Sequence, residues 1–372
     1  MTAPAPDPDA TPTWAPLLQE VARSFALSVR VLPASVRWPV ALGYLLARAS
    51  DTIADSMDPQ AATGSTTDLR RQALDELHRT IQAVAAGGTP PSALEITMRC
   101  LDGVPDAAEC ELLRRLPEGL MGLSKLNQRD RDLLARVCDT IISGQLLDLD
   151  RFRGAAATHH ALDDEAQLDD YTWRVAGCVG LFWTDLAEAH VPAWRHADLM
   201  DMQNAGRRYG MGLQRLNLLR DCAQDLAQGR CYWPLTQLAQ VSMDAPSLAH
   251  AVAMRDTALL ARMAPCQSEW IHLIRTDLTL GLAYALAVRP WRLRLASALP
   301  ALIGLRTLQM MESAGTMALA VPVKVPRTWV RGLLLRLSLG GLTPPGLRTL
   351  GRSLGVSGSI HLTERKDGTI ST

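Results

Sequence analysis

Helical periodicity is the feature that most constrains the fold of this chain. Apolar residues recur at three- and four-residue intervals through segments rich in Ala and Leu, as on one face of an α-helix. A regular series of Val/Ile/Thr-rich strands with hairpin turns is missing. Turn signals such as "AAGGTPPS" (85–92) and "GGLTPPG" (340–346) separate pieces of roughly 15–30 residues, which suits a bundle. The sequence therefore predicts an all-α, single-domain helical bundle.

Length and composition set the expected boundaries of that domain. An all-helical chain of 372 residues can form one domain, and we find neither a repeat nor a shift in composition. We expect a disordered lead-in at 1–14, an α domain at 15–355 and a polar tail at 356–372. The N-terminus lacks the early basic region of a signal peptide, and no uncharged apolar run reaches the ~18 residues of a spanning helix. We therefore expect a cytoplasmic protein.

Charge and cysteine content exclude several classes of function. The 38 basic residues balance the 38 acidic ones, so net charge gives no argument for a nucleic-acid partner. The seven cysteines are widely spaced and form no CxxC pair. This pattern indicates neither a zinc site nor a disulfide framework, and predicts reduced, mostly buried thiols.

A polar stripe interrupts the apolar segment that ends in "ARASDTIADS" (47–56). Tyr44, Arg48, Asp51 and Asp55 are spaced four, three and four residues apart, so a helix places them on one face. Arg48 can balance only one of the two carboxylates, whereas a divalent metal would balance both, and hard oxygen ligands favour Mg²⁺. The alternative is a solvated helix end with an Arg48–Asp51 pair.

A second stripe lies in "GLQRLNLLRDCAQDLAQGRCYWP" (212–234). Its members are again spaced three or four residues apart: Gln214, Asn217, Asp221 and Asp225. Arg220 adjoins this stripe and Arg230 follows it, while Gln228-Gly229 is a plausible helix end. Two such helices facing each other would line a cavity with carboxylates. Mg²⁺ bridging carboxylates and phosphate oxygens would make a diphosphate a better leaving group.

Four blocks of this sequence resemble the squalene/phytoene synthases, the head-to-head class of isoprenyl diphosphate synthases. They are "RSFALSVRVLP" (23–33), "YLLARASDTIAD" (44–55), "YTWRVAGCVG" (171–180) and "LQRLNLLRDCAQDLAQGRCYWP" (213–234). Their order and separations also fit, and the resemblance runs from about Leu18 to Arg336. It implies a single all-α domain of the isoprenoid synthase type with a central active-site cavity.

The resemblance also implies roles for individual residues. The four motif aspartates would bind Mg²⁺–diphosphate: Asp51, Asp55, Asp221 and Asp225. Other side chains would contact phosphate or position these acids: Ser24, Tyr44, Arg48, Gln214, Asn217, Arg220 and Arg230. Tyr171 matches a tyrosine assigned to proton handling during cyclopropane formation; alternatively it is a hydrogen-bonded core tyrosine.

Two further blocks leave alternatives open. Gly177 and Gly180 would let helix backbone approach the prenyl chain, or they are helix-packing positions. In "IISGQLLDLDRF" (141–152), Gly144, Gln145 and Asp148 would lie near the substrate pocket, although Asp148 could instead pair with Arg151 at the surface.

The resemblance implies a two-stage reaction. Two farnesyl diphosphates would form presqualene diphosphate, which hydride from NADPH would convert to squalene. Lys324 and Arg327 are candidates for holding the cofactor's phosphates, or they are simply exposed basic residues. The rivals are a phytoene or dehydrosqualene synthase that needs no reductant, a presqualene diphosphate synthase, and a non-catalytic prenyl-lipid binding protein.

A C-terminal segment mixes leucines with arginines. "TWVRGLLLRLSLGGL" (328–342) could lie on a membrane surface, which would place the protein at the inner face of a membrane. The alternative is a final core helix with its basic residues directed outward.

Overall fold

The computed structural model describes residues 10–22, 25–56, 66–152, 159–358 and 360–362. In these residues helices dominate, and the only strands are two of two residues each, so the all-α prediction is confirmed. The chain divides into two compact units, which are described separately. The first comprises Met1–Arg153 and Asp185–His190, and the second comprises Gly154–Thr184 and Val191–Thr372. The prediction of one domain over 15–355 stays a prediction.

The first unit is built from eight described helices and a 3₁₀ turn at Leu101–Gly103, and it also takes in the last residues of a later helix. The eight are α1 (Ala10–Ala22), α2 (Phe25–Val31), α3 (Ala34–Asp55), α4 (Thr66–Ala85), α5 (Glu95–Met98), α6 (Ala107–Arg114), α7 (Leu116–Ser124) and α8 (Gln128–Arg151). Helix α3 packs against α4 and α8, and its buried residues include Leu42, Leu46 and Ile53. This packing leaves one side of α3 for polar residues.

Short polar side chains start two of these helices. The Asp106 carboxylate accepts hydrogen bonds from the backbone N–H groups of Ala108 and Glu109, at 2.9 and 3.2 Å, and so caps α6. Asn127 caps α8 by accepting from the N–H of Asp130. Such caps satisfy N–H groups that have no partner within the helix. They fix where α6 and α8 begin, and hence which side chains these helices present to α3.

The second unit contains the remaining described elements. They are β1 (His160–Ala161), α9 (Glu165–Thr172), a π-helical turn (Trp173–Gly177), α10 (Cys178–His190, shared with the first unit), α11 (Leu199–Arg220), α12 (Cys222–Ala227), β2 (Arg230–Cys231), α13 (Leu235–Gln240), α14 (Ala245–Met254), α15 (Thr257–Ala261), α16 (Ala264–Ala287), α17 (Trp291–Ala314), a 3₁₀ turn (Gly315–Leu319), α18 (Arg327–Arg336), a second π-helical turn (Leu337–Gly341) and α19 (Pro344–Ser353).

The core of the second unit is a stack of long helices. Helix α11 packs along α16, and α16 packs along α17. Strands β1 and β2 pair in parallel, with His160 opposite Arg230, and tie the segment before α9 to the segment after α12. These contacts hold the segments that carry the predicted second stripe against the core of the second unit.

Several expectations from the sequence can now be compared with the structure. Helix α1 begins at Ala10, inside the predicted lead-in, and Val356 and Ile360 are buried inside the predicted polar tail. Both apolar residues lie near Gly351, so the chain packs beyond 355. All seven cysteines are free and only Cys110 is not buried, as predicted. No helix among the described residues combines the length and hydropathy needed to span a bilayer.

Candidate active site

The first aspartate stripe lies on the open face of α3 within the first unit. Tyr44, Arg48 and Asp51 are partly exposed and Asp55 is exposed, whereas Leu45, Leu46, Ala49, Thr52 and Ile53 are buried. The helical spacing of the stripe is therefore confirmed. Asp55 is the last residue of α3, and the Ser56 hydroxyl next to it donates to the carbonyl of Ile53 at 2.8 Å.

Asp51 is held by an amide and lies at the edge of an arginine's reach. Nε2 of Gln145, on α8, donates to Oδ1 of Asp51 at 2.6 Å, and Nη1 of Arg48 is 3.8 Å from Oδ2. Half of the Asp51 side chain is exposed. Even so, loss of surrounding water and then repulsion from Asp55 raise the pKa of Asp51 to about 6, and Arg48 and Gln145 offset this only in part.

Arg48 is engaged by an acid that the sequence did not point to. Its guanidinium forms an ion pair with Glu109 of α6, and the Thr52 hydroxyl donates to the other oxygen of Glu109 at 3.1 Å. Burial opposes the charge of Arg48, but Glu109 and Asp51 outweigh it, so the pKa of Arg48 is raised. Arg48 thus lies within ion-pair distance of one motif aspartate, Asp51, but Glu109 is its closer partner. No motif marks Glu109; its position follows from the Asp106 cap.

Tyr44 is anchored away from the two aspartates in this structure. Its hydroxyl donates to the carbonyl of Val21 at 3.1 Å, and its ring stacks on Phe25 with centroids 4.9 Å apart. Tyr44 therefore joins α1 and α2 to α3, and its role toward diphosphate stays a prediction. Ser24 lies outside the described residues.

In the second unit, the second stripe spans a break between two helices. Helix α11 ends at Arg220, Asp221 has φ −96° and ψ 10°, and α12 begins at Cys222. The N–H of Asp225 still donates to the carbonyl of Asp221 at 3.0 Å, so one turn separates the two aspartates. The predicted helix end is correct, since α12 stops before Gln228 and Gly229 has φ +80°. The break at Asp221 was not predicted.

The stripe side chains of this helix pair are partly exposed, whereas the leucines between them, Leu216, Leu218 and Leu219, are buried. Arg220 makes two hydrogen bonds to Asp221, at 2.9 and 2.6 Å, and these raise the pKa of Arg220. The amide of Asn217 donates to Gln214 at 3.4 Å. Arg230, on β2, donates to Gln228. Gln214, Asn217, Asp221 and Asp225 thus form the predicted stripe, with one carboxylate already paired to an arginine.

Tyr171 lies in α9 of the same unit. It is 8% exposed, and its ring stacks on that of Tyr232 with centroids 4.8 Å apart and planes 28° apart. The π-helical turn follows two residues later, and such turns occur frequently at functional sites. The stacking fixes the ring of Tyr171. Sequence analysis did not single out Tyr232.

Gly177 and Gly180 serve helix packing in the second unit. A Cβ at Gly180 would lie 1.9 Å from the carbonyl oxygen of Gly206, and one at Gly177 would lie 2.9 Å from Cγ of Met211. The structure therefore favours the packing alternative over close approach to a prenyl chain. The glycines let α10 and the π-helical turn lie directly against α11.

A network of ion pairs joins α11 to α16 and α9. Asp277, on α16 and almost fully buried, accepts from Arg208 at 3.0 Å and from Arg215 at 2.7 Å; Arg215 also donates to Asp169 of α9 at 2.6 Å. Burial raises the pKa of Asp277, and the two arginines counter this in part. These four residues line a cavity of about 420 Å³. No sequence motif predicted these ion pairs, which join the helix of Tyr171 to that of the second stripe.

The donor set suits magnesium better than a metal with a full protein cage. In the part of the chain that the structure describes, no cluster of three or more His, Cys, Asp or Glu residues could hold a metal ion. Each stripe instead offers a pair of carboxylates. Mg²⁺ is typically bound by one or two carboxylates together with substrate phosphates. Asp51 and Asp55 fit such an ion, because the charge of Arg48 is mostly taken by Glu109.

An all-α fold with two DxxxD stripes defines the class of isoprenoid synthases. The model of the squalene/phytoene synthase family matches residues 18–329, so the chain belongs to that family, whose members are prenyltransferases. It is 28% identical over 222 residues to squalene synthase ERG9 of Saccharomyces cerevisiae, covering 59% of this chain and 44% of the relative. It is 27% identical over 238 residues to 15-cis-phytoene synthase of Synechocystis, covering 63% and 58%.

A solved structure supports the fold. The complex of TcSQS with the ligand BPH1237 superposes with a TM-score of 0.72 at 22% identity, covering 94% of this chain and 92% of the other. The matches to the two curated relatives span about half of those proteins' lengths. The confirmed family and fold leave the specific reaction open, since the relatives include both squalene and phytoene synthases.

Proposed function

We propose that this protein condenses two molecules of farnesyl diphosphate head to head, through presqualene diphosphate, and reduces the product to squalene with NADPH. The observation that carries the proposal is the pair of carboxylate stripes, whose side chains are at least partly exposed beside buried apolar residues of the same helices. A purely structural protein gains nothing from leaving two carboxylates beside each other, because each raises the cost of ionising the other. A multiply charged diphosphate with its cation makes use of both pairs.

In the first unit, the proposed work of α3 is to receive the metal–diphosphate end of a substrate. Asp51 and Asp55 would hold Mg²⁺, which when bound neutralises charge on the diphosphate leaving group. Gln145 orients the Asp51 carboxylate through its hydrogen bond. Arg48, fixed by Glu109, lies close enough to Asp51 to direct its remaining N–H groups toward phosphate oxygens.

In the second unit, the proposed work is shared by the second stripe and by Tyr171. Asp221 and Asp225 would hold Mg²⁺, while Gln214, Asn217, Arg220 and Arg230 would contact phosphate oxygens or position the acids. Ionisation of the donor would leave an allylic cation that the double bond of the acceptor attacks. The hydroxyl of Tyr171 would then assist proton loss as the cyclopropane forms, since stacking on Tyr232 holds the ring in one orientation.

The reductive step is the finer part of the proposal. Lys324 precedes α18 and Arg327 begins it, and both side chains are exposed. Exposure fits contact with the phosphates of NADPH, and it equally fits a solvated basic pair. Phytoene or dehydrosqualene synthesis, and release of presqualene diphosphate, use the same carboxylates without a reductant. The phytoene synthase relative is the observation that favours this second candidate.

Omission of single components tests the reaction. Purified protein would be incubated with farnesyl diphosphate, Mg²⁺ and NADPH, and the lipids analysed by mass spectrometry with each component left out in turn. We expect squalene in the complete mixture, presqualene diphosphate or dehydrosqualene without NADPH, and no prenyl product without Mg²⁺. Product formation only from geranylgeranyl diphosphate, as phytoene, would reject the choice of squalene. Unchanged farnesyl diphosphate under all conditions would favour a non-catalytic binding protein.

A further inference from the structure

The charge of this chain is unevenly distributed. Residues 289–352 contain a single acid, Glu312, and ten basic residues: Arg289, Arg292, Arg294, Arg306, Lys324, Arg327, Arg331, Arg336, Arg348 and Arg352. Because the whole chain is neutral, the rest of it carries the compensating excess of acids. A concentration of one sign of charge attracts partners of the opposite sign and raises their association rates. The C-terminal part of the second unit is therefore suited to an anionic partner.

Helix α18 and the turn after it bury one set of leucines and expose another. Leu333 and Leu337 are 3% and 4% exposed, so they pack into the second unit. Leu335 and Leu339 are 60% and 78% exposed. Arg331 and Arg336, on the same segment, are also exposed. The helix therefore packs on the core and also presents apolar residues among arginines.

A tryptophan from another helix belongs to the same region. Nη1 of Arg294, in the first turns of α17, donates to the carbonyl of Leu342 at 3.4 Å, which fixes this end of α17 beside the turn that follows α18. Trp291 lies one turn before Arg294 and is 57% exposed. The guanidinium of Arg292 lies over its ring, 5.3 Å from the centroid. Exposed aromatic rings near basic side chains are typical of the interface between water and lipid.

We propose that this region docks peripherally on an anionic phospholipid bilayer. The C-terminal basic surface, as we name it, consists of Trp291, Arg292, Arg331, Leu335, Arg336 and Leu339. The arginines pair with lipid phosphates, and the leucines and the indole enter the headgroup layer. A second copy of the chain would bring like charges together, and nucleic acid offers no apolar layer for Leu335 and Leu339. The surface uses none of the proposed catalytic or cofactor residues.

Vesicle flotation tests this surface with the full chain. The protein would be mixed with phosphatidylcholine vesicles that either contain or lack phosphatidylglycerol, at low and high salt. We expect flotation only with the anionic vesicles, weakened by salt. The double variant Arg331→Glu/Arg336→Glu should lose at least about tenfold in binding, because each basic residue near an anionic surface contributes to the attraction. Leu335→Ser/Leu339→Ser should also bind several-fold more weakly, with less change in salt dependence.

Matched variants elsewhere control for charge and for exposed apolar area. Arg129→Glu/Arg136→Glu changes two exposed arginines of α8, and Met254→Ser removes a side chain that is 67% exposed. We expect both to float like the unchanged protein, and thermal unfolding would check that all variants are folded. The proposal is overturned if flotation ignores phosphatidylglycerol, or if the controls lose as much as the surface variants. It is also overturned if the C-terminal variants change only binding to duplex DNA.

Discussion

The two aspartate pairs have the same four-residue spacing but differ in how their charge is balanced. On α3, the nearest arginine is taken by Glu109, and Asp51 is held by the neutral amide of Gln145. At the junction of α11 and α12, Arg220 forms two hydrogen bonds to Asp221. Behind that junction, Arg215 and Arg208 converge on the buried Asp277. The arginine of the first stripe thus has its closer partner outside the stripe, whereas the arginine beside the second stripe pairs with an aspartate of that stripe.

The difference teaches that one motif spacing can serve two electrostatic tasks. The arginine nearest to Asp51 pairs more closely with Glu109, so Asp51 should gain more from a cation than Asp221 does, and the first stripe should depend most on Mg²⁺. A stripe paired with arginines is pre-arranged to grip phosphate oxygens as well, since guanidinium groups bind phosphate through two parallel hydrogen bonds. Each of the following tests changes one side of this comparison.

Substitution of the motif aspartates should have the largest effect, which is on the rate of prenyl transfer. Asp51→Asn and Asp221→Asn should each lower kcat/KM for prenyl transfer by about a thousandfold, because a metal contributes several kcal/mol of charge stabilisation to the transition state. Excess Mg²⁺ should rescue Asp221→Asn more than Asp51→Asn, since Arg220 remains near the diphosphate. The matched control is Asp201→Asn in the first turn of α11, which should keep near-normal activity. Equal rescue of both variants would remove the distinction between the stripes.

The next effect concerns the stability of the second unit. Asp277→Asn should lower the free energy of unfolding by about 3 kcal/mol, because it leaves Arg215 buried with only the half-exposed Asp169 as a full charge partner. Denaturant unfolding measures this loss. Asp198→Ala, which removes the N-cap of α11, the helix of Arg215, should lower the free energy of unfolding by about 1 kcal/mol. If Asp277→Asn lowers the free energy of unfolding no more than Asp198→Ala does, the buried ion pairs contribute little to the stability of this unit.

The smallest effect is a pH dependence of the metal-free protein. The pKa of Asp51 is raised from 3.8 to about 6, so the folded protein binds this proton more tightly than the unfolded chain does. Stability contributed by Asp51 is therefore present at low pH and is lost as the pH rises through this interval. With a chelator present, the free energy of unfolding of the unchanged protein should fall over this pH interval by at most about 1 kcal/mol more than that of Asp51→Asn. The effect is small because half of the Asp51 side chain is exposed.

Thermal unfolding of both proteins between those pH values would measure this difference. Gln145→Leu sharpens the test, because loss of the hydrogen bond to ionised Asp51 should move the transition to higher pH. Parallel stability curves for the unchanged protein and Asp51→Asn would contradict the raised pKa of Asp51.

Local spacing predicted much of this structure, and long-range pairing accounts for what it missed. The helical class and both stripes follow from three- and four-residue periodicity. Arg48 and Glu109 are 61 residues apart and Arg215 and Asp277 are 62 apart, so no helical period links them. The pairing of Gln145 with Asp51, across 94 residues, was anticipated only as proximity to a pocket. Tertiary packing decides which of two acids an arginine pairs with. No short sequence pattern predicts that packing.

The glycines and the helix break show a second limit of prediction from sequence. Sequence alone left Gly180 undecided between substrate contact and packing, and only the position of Gly206 opposite it decides. The break at Asp221 also lacks a sequence signal, because neither Gly nor Pro occurs between Leu213 and Gln228. Turn chemistry predicts where helices end, whereas breaks imposed by tertiary packing leave no such mark.

The central claim is that prenyl transfer needs both aspartate pairs. A double-mutant cycle with Asp51→Asn, Asp221→Asn and the combined variant, scored as kcat/KM for diphosphate release, tests it most directly. If both pairs are needed for the same reaction step, the combined variant should be scarcely worse than either single variant. Losses that simply multiply would show two carboxylate pairs working independently, and would contradict this account.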